Sequence, residues 1–241
     1  MSWRVHRYEE VSSTNDVAAQ FAERGAEEGC VVVADAQSAG RGRHGRAWSS
    51  PVGAGLYVSV VLRPRAAITG LLTIAAGVAI AEGIQAASGL DASVKWPNDV
   101  YAGGRKLAGI LAEAGSSPGG APHVVLGFGI NVRPMTFPPD LALRATSIES
   151  ELGRSIDRHL LLASCLAALA NRYADLHDGR AGAVLDAWRL RAATTFRRRV
   201  EWDRGEIRAR GVAENIDEDG ALLVRVGDDV VRVISGEVRW L

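Results

Sequence analysis

Along the first half of the chain, apolar side chains switch repeatedly between a helical period and a strand period. Val17, Ala18, Phe21 and Ala22 share one helical face, Ser12-Ser13-Thr14-Asn15-Asp16 offers hydroxyl and amide N-caps before them, and Gly25 supplies a stop; this predicts a short amphipathic helix. Cys30 to Asp35 is a nearly unbroken β-branched run, and Leu56, Val58, Val60 and Leu62 alternate with Tyr57 and Ser59, so both segments read as strands. A long helix follows over about Ile68 to Ala87, then short strands around Ser93 to Trp96, Lys106 to Ala112 and Val124 to Ile130 with glycines between them. Helical patterns return over Ser155 to His177 and Ala181 to Ala192. After Phe196 the texture changes to short β runs such as Glu206 to Val212 and Ala221 to Val226. The alternation predicts α/β or α+β layers over residues 1–192 and a small β-barrel over 193–241.

Composition narrows this picture. With 47% hydrophobic residues in 241, the chain can bury a core. The 28 Lys and Arg balance the 28 Asp and Glu, so no overall field draws it to nucleic acid or an anionic membrane. Cys30 and Cys165 lie in apolar stretches and read as reduced core thiols. The start carries no secretory pattern, which predicts a cytoplasmic protein. The most apolar run, Ile68 to Ile80, is shorter than the roughly 20 residues that span a bilayer, so a buried helix is expected.

Three stretches carry candidate chemistry. Gly40, Gly42 and Gly45 satisfy G-x-G-x-x-G after a strand, but the residues that follow are turn-forming rather than helical, which excludes a dinucleotide-binding turn. The loop still suits an anion: its glycines let the backbone approach a ligand, and Arg41, Arg43 and Arg46 supply guanidinium forks. It should be mobile when empty, because mutually repelling arginines on a glycine backbone, with no acidic neighbour in sequence, lack internal partners. The plain alternative is a solvated basic loop. In Lys95-Trp96-Pro97-Asn98-Asp99 and the following Lys106, two lysines bracket an acid. An ammonium at the start of an apolar strand needs an anion, although an ordinary surface ion pair is the simpler account. Gly127 and Gly129 leave one strand face bare ahead of Asn131, as expected under a flat ligand, or at a β-bulge.

Taken together, Ser13-Thr14-Asn15, Gln37 through Trp48 (QSAGRGRHGRAW), Lys95 through Asp99 (KWPND), Arg105 through Leu111 (RKLAGIL) and Gly127 through Asn131 (GFGIN) resemble the biotin protein ligase family in order and spacing. The resemblance spans nearly the whole chain. It implies a catalytic domain akin to class II aminoacyl-tRNA synthetases, on a mixed sheet, followed by an SH3-like barrel. It also implies that biotin and ATP form biotinyl-5'-AMP, with Mg2+ accompanying ATP, and that the biotinyl group passes to a lysine of a biotin carboxyl carrier protein. By the same resemblance Ser13, Thr14, Asn15, Gln37, Gly42, Gly127 and Gly129 contact biotin. Arg41 and Arg43 serve both biotin and phosphate; Arg46, Trp48, Lys95 and Asn131 serve the adenylate. Lys106 stabilises charge between carboxylate and α-phosphate, and Asp99 orients or deprotonates the incoming amine.

Only Met1 to Ser12 precede the Ser-Thr-Asn motif, too little for a DNA-binding helix-turn-helix, so a monofunctional ligase without DNA or membrane partners is expected, as monomer or homodimer. Arg189, Arg191 and Arg197 to Arg199 are read as a solvated face or a carrier-docking surface. A lipoate ligase on the same kind of fold, or a non-catalytic module holding RNA or an acidic partner, are the competing readings.

Overall fold

The computed structural model describes residues 1–116, 122–137, 139, 141–193, 195–204, 207–236 and 238–241, without the side chains of residues 204 and 207. Strands β1 (Arg4–Val11), β2 (Cys30–Gln37), β3 (Gly55–Leu62), β4 (Ser93–Lys95), β5 (Asp99–Ala102), β6 (Arg105–Ser116) and β7 (Pro122–Asn131) form one sheet in the order β1-β2-β3-β7-β6-β5-β4. β1 pairs parallel with β2, and the remaining neighbours pair antiparallel, which makes the sheet mixed. The fold is α+β, as expected.

Strand alternation divides the sheet into two faces. Leu56, Val58, Val60 and Leu62 of β3, with Val124, Leu126, Phe128 and Ile130 of β7, join the main core. There they meet α2 (Leu72–Ser88), α4 (Arg158–His177) and α5 (Ala181–Arg191). The opposite phase, Val61 and Val125, packs against Ala18 and Ala22 of α1 (Thr14–Glu23). Because α1 covers only part of that second face, the rest is left to polar side chains and glycines, and the site lies there.

α2 is apolar all round because it lies between the sheet and α4. Helical structure runs continuously over Ala66–Ser88, close to the expected Ile68 to Ala87, and the whole of it, unlike its most apolar run, is long and apolar enough by length to cross a membrane. Burial in the core, with Ala76, Val78, Ala79, Ile80 and Ile84 fully covered, identifies it as a core helix. α2 and α4 touch at Gly83, where an added Cβ would stand 2.5 Å from Cys165 Cα. Gly83→Ala is expected to cost about 1–3 kcal/mol by forcing the helices apart, read as a lower urea midpoint; an unchanged midpoint would show the contact to be slack.

A second sheet contains β8 (Arg199–Arg204), β9 (Ile207–Ile216), β10 (Leu222–Val226), β11 (Asp229–Val233) and β12 (Val238–Trp240), ordered β11-β10-β9-β8-β12. Glu206, the first residue of one expected strand, lies outside the described residues. The two sheets share one core, to which Val200, Trp202, Ile216, Leu222 and Val224 contribute. Buried Trp96 Nε1 donates across the junction to the Gly220 carbonyl at 2.9 Å. The arginines expected on a solvated face are partly spent here: Arg189 pairs with Asp186 and bonds Asn215 and the Ile216 carbonyl, and Arg191 bonds Gln85. Arg197, Arg198 and Arg199 are exposed.

Strands β1, β5, β11 and β12 and the short helix α3 (Ile148–Leu152) lack a clear signal in the sequence. β1 is largely exposed along its length and carries little apolar alternation; β12 is three residues long.

Candidate active site

The Ser-Thr-Asn segment leads from β1 into α1. Ser13 occupies the N-cap position but makes no capping hydrogen bond with its side chain, contrary to the expected cap. Thr14 and Asn15 are buried and turn into a polar network instead. Gln37 Oε1 accepts from the Thr14 backbone N–H at 2.8 Å, and Gln37 Nε2 donates to Ser50 Oγ at 2.8 Å. Ser59 Oγ, on the site face of β3, lies 2.8 Å from Thr14 Oγ1 and 2.5 Å from Asn15 Oδ1. Asn15 Nδ2 donates to Glu113 Oε2 at 2.6 Å, and Glu113 receives both Nε and Nη2 of Arg41 at 3.2 and 3.0 Å. Side chains far apart in sequence thus become one connected rim of donors and acceptors, preorganised for a small polar head group.

Beside this rim runs a bare slot. Gly109 on β6 pairs with Gly129 on β7, and Leu111 with Gly127. An added Cβ on Gly129 would stand 2.5 Å from Trp48 Nε1, one on Gly109 3.0 Å from Trp48 Cζ3, and one on Gly127 would collide with the Asn15 amide. The glycines therefore exist so that planar groups can lie against the sheet.

Lys106 reaches this face through a register irregularity. Opposite Val100-Tyr101 of β5, β6 carries one extra residue, Leu107, so Tyr101 pairs with Lys106 while Val100 pairs with Ala108. In a regular strand Lys106, three residues from Gly109, would point to the other face. The bulge instead places Leu107 in the core and Lys106 with Gly109, Asp99 and Tyr101. The backbone is clasped there: Lys106 N–H donates to the Arg144 carbonyl, and Thr146 N–H donates to the Lys106 carbonyl.

Lys106 Nζ stands 2.6 Å from Asp99 Oδ1 and 5.4 Å from the Trp48 ring. The anion that the sequence demanded for this ammonium is thus supplied internally by Asp99. Lys95, paired in register with Asp99, completes the bracket of two lysines around an acid. Its Nζ lies 4.6 Å from the Tyr101 ring centroid and 5.2 Å from that of Trp240, on the second sheet. Burial pulls the Lys95 ammonium from 10.5 down to about 8; Asp99 offsets this, while Arg198 and Lys106 add to it. Burial likewise lowers Arg43, with Asp99 partly compensating.

The arginine-glycine loop corrects one expectation. It is not without internal partners: Arg41 pairs with Asp16 at 2.7 Å as well as with Glu113, Trp48 N–H donates to the Gly40 carbonyl at 2.8 Å, and Gly42 N–H to the Arg46 carbonyl at 2.7 Å. Its acidic neighbours are distant in sequence and close in space. Arg43 reaches the Gly236 carbonyl of the second sheet region at 3.5 Å.

The structure gathers Thr14, Asn15, Gln37, Arg41, Arg43, Gly42, Trp48, Lys95, Asp99, Lys106, Gly127 and Gly129 along one face. Arg46 is exposed on the outer side of the loop, Ser13 is buried, and Asn131 Nδ2 is engaged with the Thr146 carbonyl at 2.9 Å. Sequence reading missed Asp16, Ser50, Ser59, Glu113 and Trp240. Ser59 alone had a signal, a small polar residue in the off-core phase of an apolar strand.

This face offers hydrogen bonds for a polar head, a flat slot, and a cationic end, which is the equipment of a ligase that activates a carboxylic acid. Residues 8–131 match the Biotin/lipoate A/B protein ligase family, and residues 199–239 match the Biotin protein ligase C terminal domain. The chain is 37% identical over 240 residues to a biotin--[acetyl-CoA-carboxylase] ligase of Mycobacterium tuberculosis, covering 95% of this chain and 86% of that one. It is 35% identical over 235 residues to a bifunctional ligase/repressor of Bacillus subtilis, covering 95% and 71%. The solved biotin protein ligase of Aquifex aeolicus in complex with biotin and ATP superposes with a TM-score of 0.82 at 26% identity over 98% of each chain. The chain belongs to the biotin protein ligase family.

Proposed function

We infer that this chain condenses biotin with ATP to biotinyl-5'-AMP and transfers the biotinyl group to a lysine of a biotin carboxyl carrier protein. The observation that supports the reading most is the single face joining the Thr14-Asn15-Gln37 rim, the glycine slot and the Lys106-Asp99 pair.

A carboxylate does not acylate an amine until its oxygen is turned into a good leaving group. In this reading the rim and slot hold the biotin rings, contacted by Ser13, Thr14, Asn15, Gln37, Gly127 and Gly129, with Trp48 between biotin and adenylate. The valeryl carboxylate meets Lys106, which stabilises the charge that builds as that oxygen attacks the α-phosphorus and pyrophosphate departs. Arg41 and Arg43 neutralise phosphate charge, with Arg46, Lys95 and Asn131 on the nucleotide side. The carrier amine then attacks the acyl carbon, Asp99 orients or deprotonates it, and AMP leaves. Mg2+ supplies charge neutralisation on the ATP phosphates; such an ion keeps most of its ligands from phosphate and water. Residues 193–241 act as an SH3-like barrel, and residues 1–192 as a catalytic domain like that of class II aminoacyl-tRNA synthetases. The enzyme works in the cytoplasm.

Biotin-dependent exchange of labelled pyrophosphate into ATP tests this without a carrier. Exchange with biotin and not lipoate is expected; exchange with lipoate alone would move the chain to the lipoate branch, and none with either would overturn the reading.

Lys95 adds a pH dependence. Its ammonium is the form that attracts phosphate, and in the folded protein it is lost as pH rises through about 8. ATP affinity is therefore expected to weaken above pH 8, and Lys95→Arg to remove that step, since a guanidinium stays charged throughout. A pH profile identical in both proteins would separate Lys95 from the nucleotide.

A further inference from the structure

Of the 28 basic residues, only two are lysines, Lys95 and Lys106; the other 26 are arginines. Lysine is ordinarily among the commonest residues, and here both copies sit in the active site. Surface ion pairs such as Arg4–Glu27, Arg105–Glu151, Arg158–Asp35, Arg180–Asp175 and Arg232–Asp217 all use guanidinium. For charge alone, lysine would serve at an exposed pair nearly as well, because such pairs contribute little in either form.

The difference lies in reactivity. The product of the first half-reaction is an acyl-phosphate anhydride. A free ε-amine attacks its acyl carbon: the C–N bond forms, the C–O bond to phosphate breaks, AMP departs with the electron pair, and the proton lost from nitrogen goes to solvent. An ordinary lysine, with pKa near 10.4, presents a small neutral fraction at physiological pH, whereas arginine stays protonated. We propose that the lysine-free surface makes this ligase inert toward its own adenylate, leaving the carrier lysine as the ε-amine that the adenylate meets. The inference rests on the adenylate-forming reading above.

The two lysines present are withheld in different ways. Lys106 Nζ is engaged by the Asp99 carboxylate at 2.6 Å. Lys95, which burial makes more readily deprotonated, is withheld by position: its Nζ lies beside the Tyr101 and Trp240 rings and donates to Tyr101 Oη at 3.4 Å. Exposed arginines border the same face: Arg144, whose carbonyl holds the Lys106 backbone, and Arg198, close enough to depress Lys95. Arg7 lies on β1, at the other end of the seven-stranded sheet, and Arg180 lies beyond α4.

The test incubates the full chain with biotin and MgATP without carrier and maps acylated lysines by peptide mass spectrometry, with pyrophosphate exchange measured in parallel. The parent chain is expected to carry no biotinyl group on Lys95 or Lys106. Arg144→Lys and Arg198→Lys are expected to acquire it at the new lysine, roughly tenfold faster than Arg7→Lys or Arg180→Lys, because a tethered amine meets the adenylate at high effective concentration. Acylation of Lys95 or Lys106 in the parent at the rate of the new lysines would overturn the proposal. So would unmodified new lysines in variants whose exchange is intact. Absence of exchange in the parent would instead strike the adenylate-forming reading itself.

Discussion

Lys106→Ala is expected to lower biotin-dependent pyrophosphate exchange by about 10²- to 10³-fold, the loss typical of removing one preorganised group from developing transition-state charge. The side chain is only partly buried and its partner Asp99 retains some access to water, so the variant should remain folded, with a melting temperature close to the parent's. The bulge at Leu107 and the backbone clasp by Arg144 and Thr146 do not depend on the ammonium. Charge stabilisation, not nucleophilic attack, predicts partial recovery in Lys106→Arg, whose guanidinium keeps the charge but changes its reach. Exchange at the parental rate in Lys106→Ala would remove this residue from the chemistry.

Gly129→Val is expected to weaken biotin binding by roughly ten- to a hundredfold, from an overpacking cost of about 1–3 kcal/mol in the slot. Its Cβ alone would stand 2.5 Å from the Trp48 indole, so Trp48 must leave the sheet or the ligand must yield. The ladder partners of Gly129 are Gly109 on β6 and Tyr57 on β3, and the atoms nearest an added Cβ all belong to Trp48, so the strain falls on the slot and the thermal transition should hardly move. Calorimetric titration with biotin reads the effect; parental affinity would place the ligand elsewhere on the sheet.

Much of the frame was legible because it follows from periodicity. The β-branched run from Cys30, the alternation in Leu56 to Leu62 and the long apolar helix each announce how they are buried. The weak elements are those whose stability comes from neighbours. β1 is exposed along most of its length and exists because β2 offers it a ladder; β5 is four residues long; β12 closes the second sheet with three. The core helix, by contrast, was legible almost to its ends, expected over Ile68 to Ala87 and found over Ala66–Ser88, because its apolar positions continue through every turn that packs on the sheet and α4.

The sequence by itself determined which residue types the site commands: a hydroxyl-amide motif, an arginine-glycine loop, two lysines about an acid, and glycines alternating along one strand. Those are local covalent facts, and each carries its chemistry in its side chain. Which face they share was decided only by tertiary structure. One extra residue opposite Val100-Tyr101 turns Lys106 to the glycine side, and the arginine loop finds its counter-ions in Asp16 and Glu113, 25 residues before and 72 after Arg41. Side-chain direction in a sheet depends on register, and ion pairing depends on distance in space; neither is written in the order of residues along the chain.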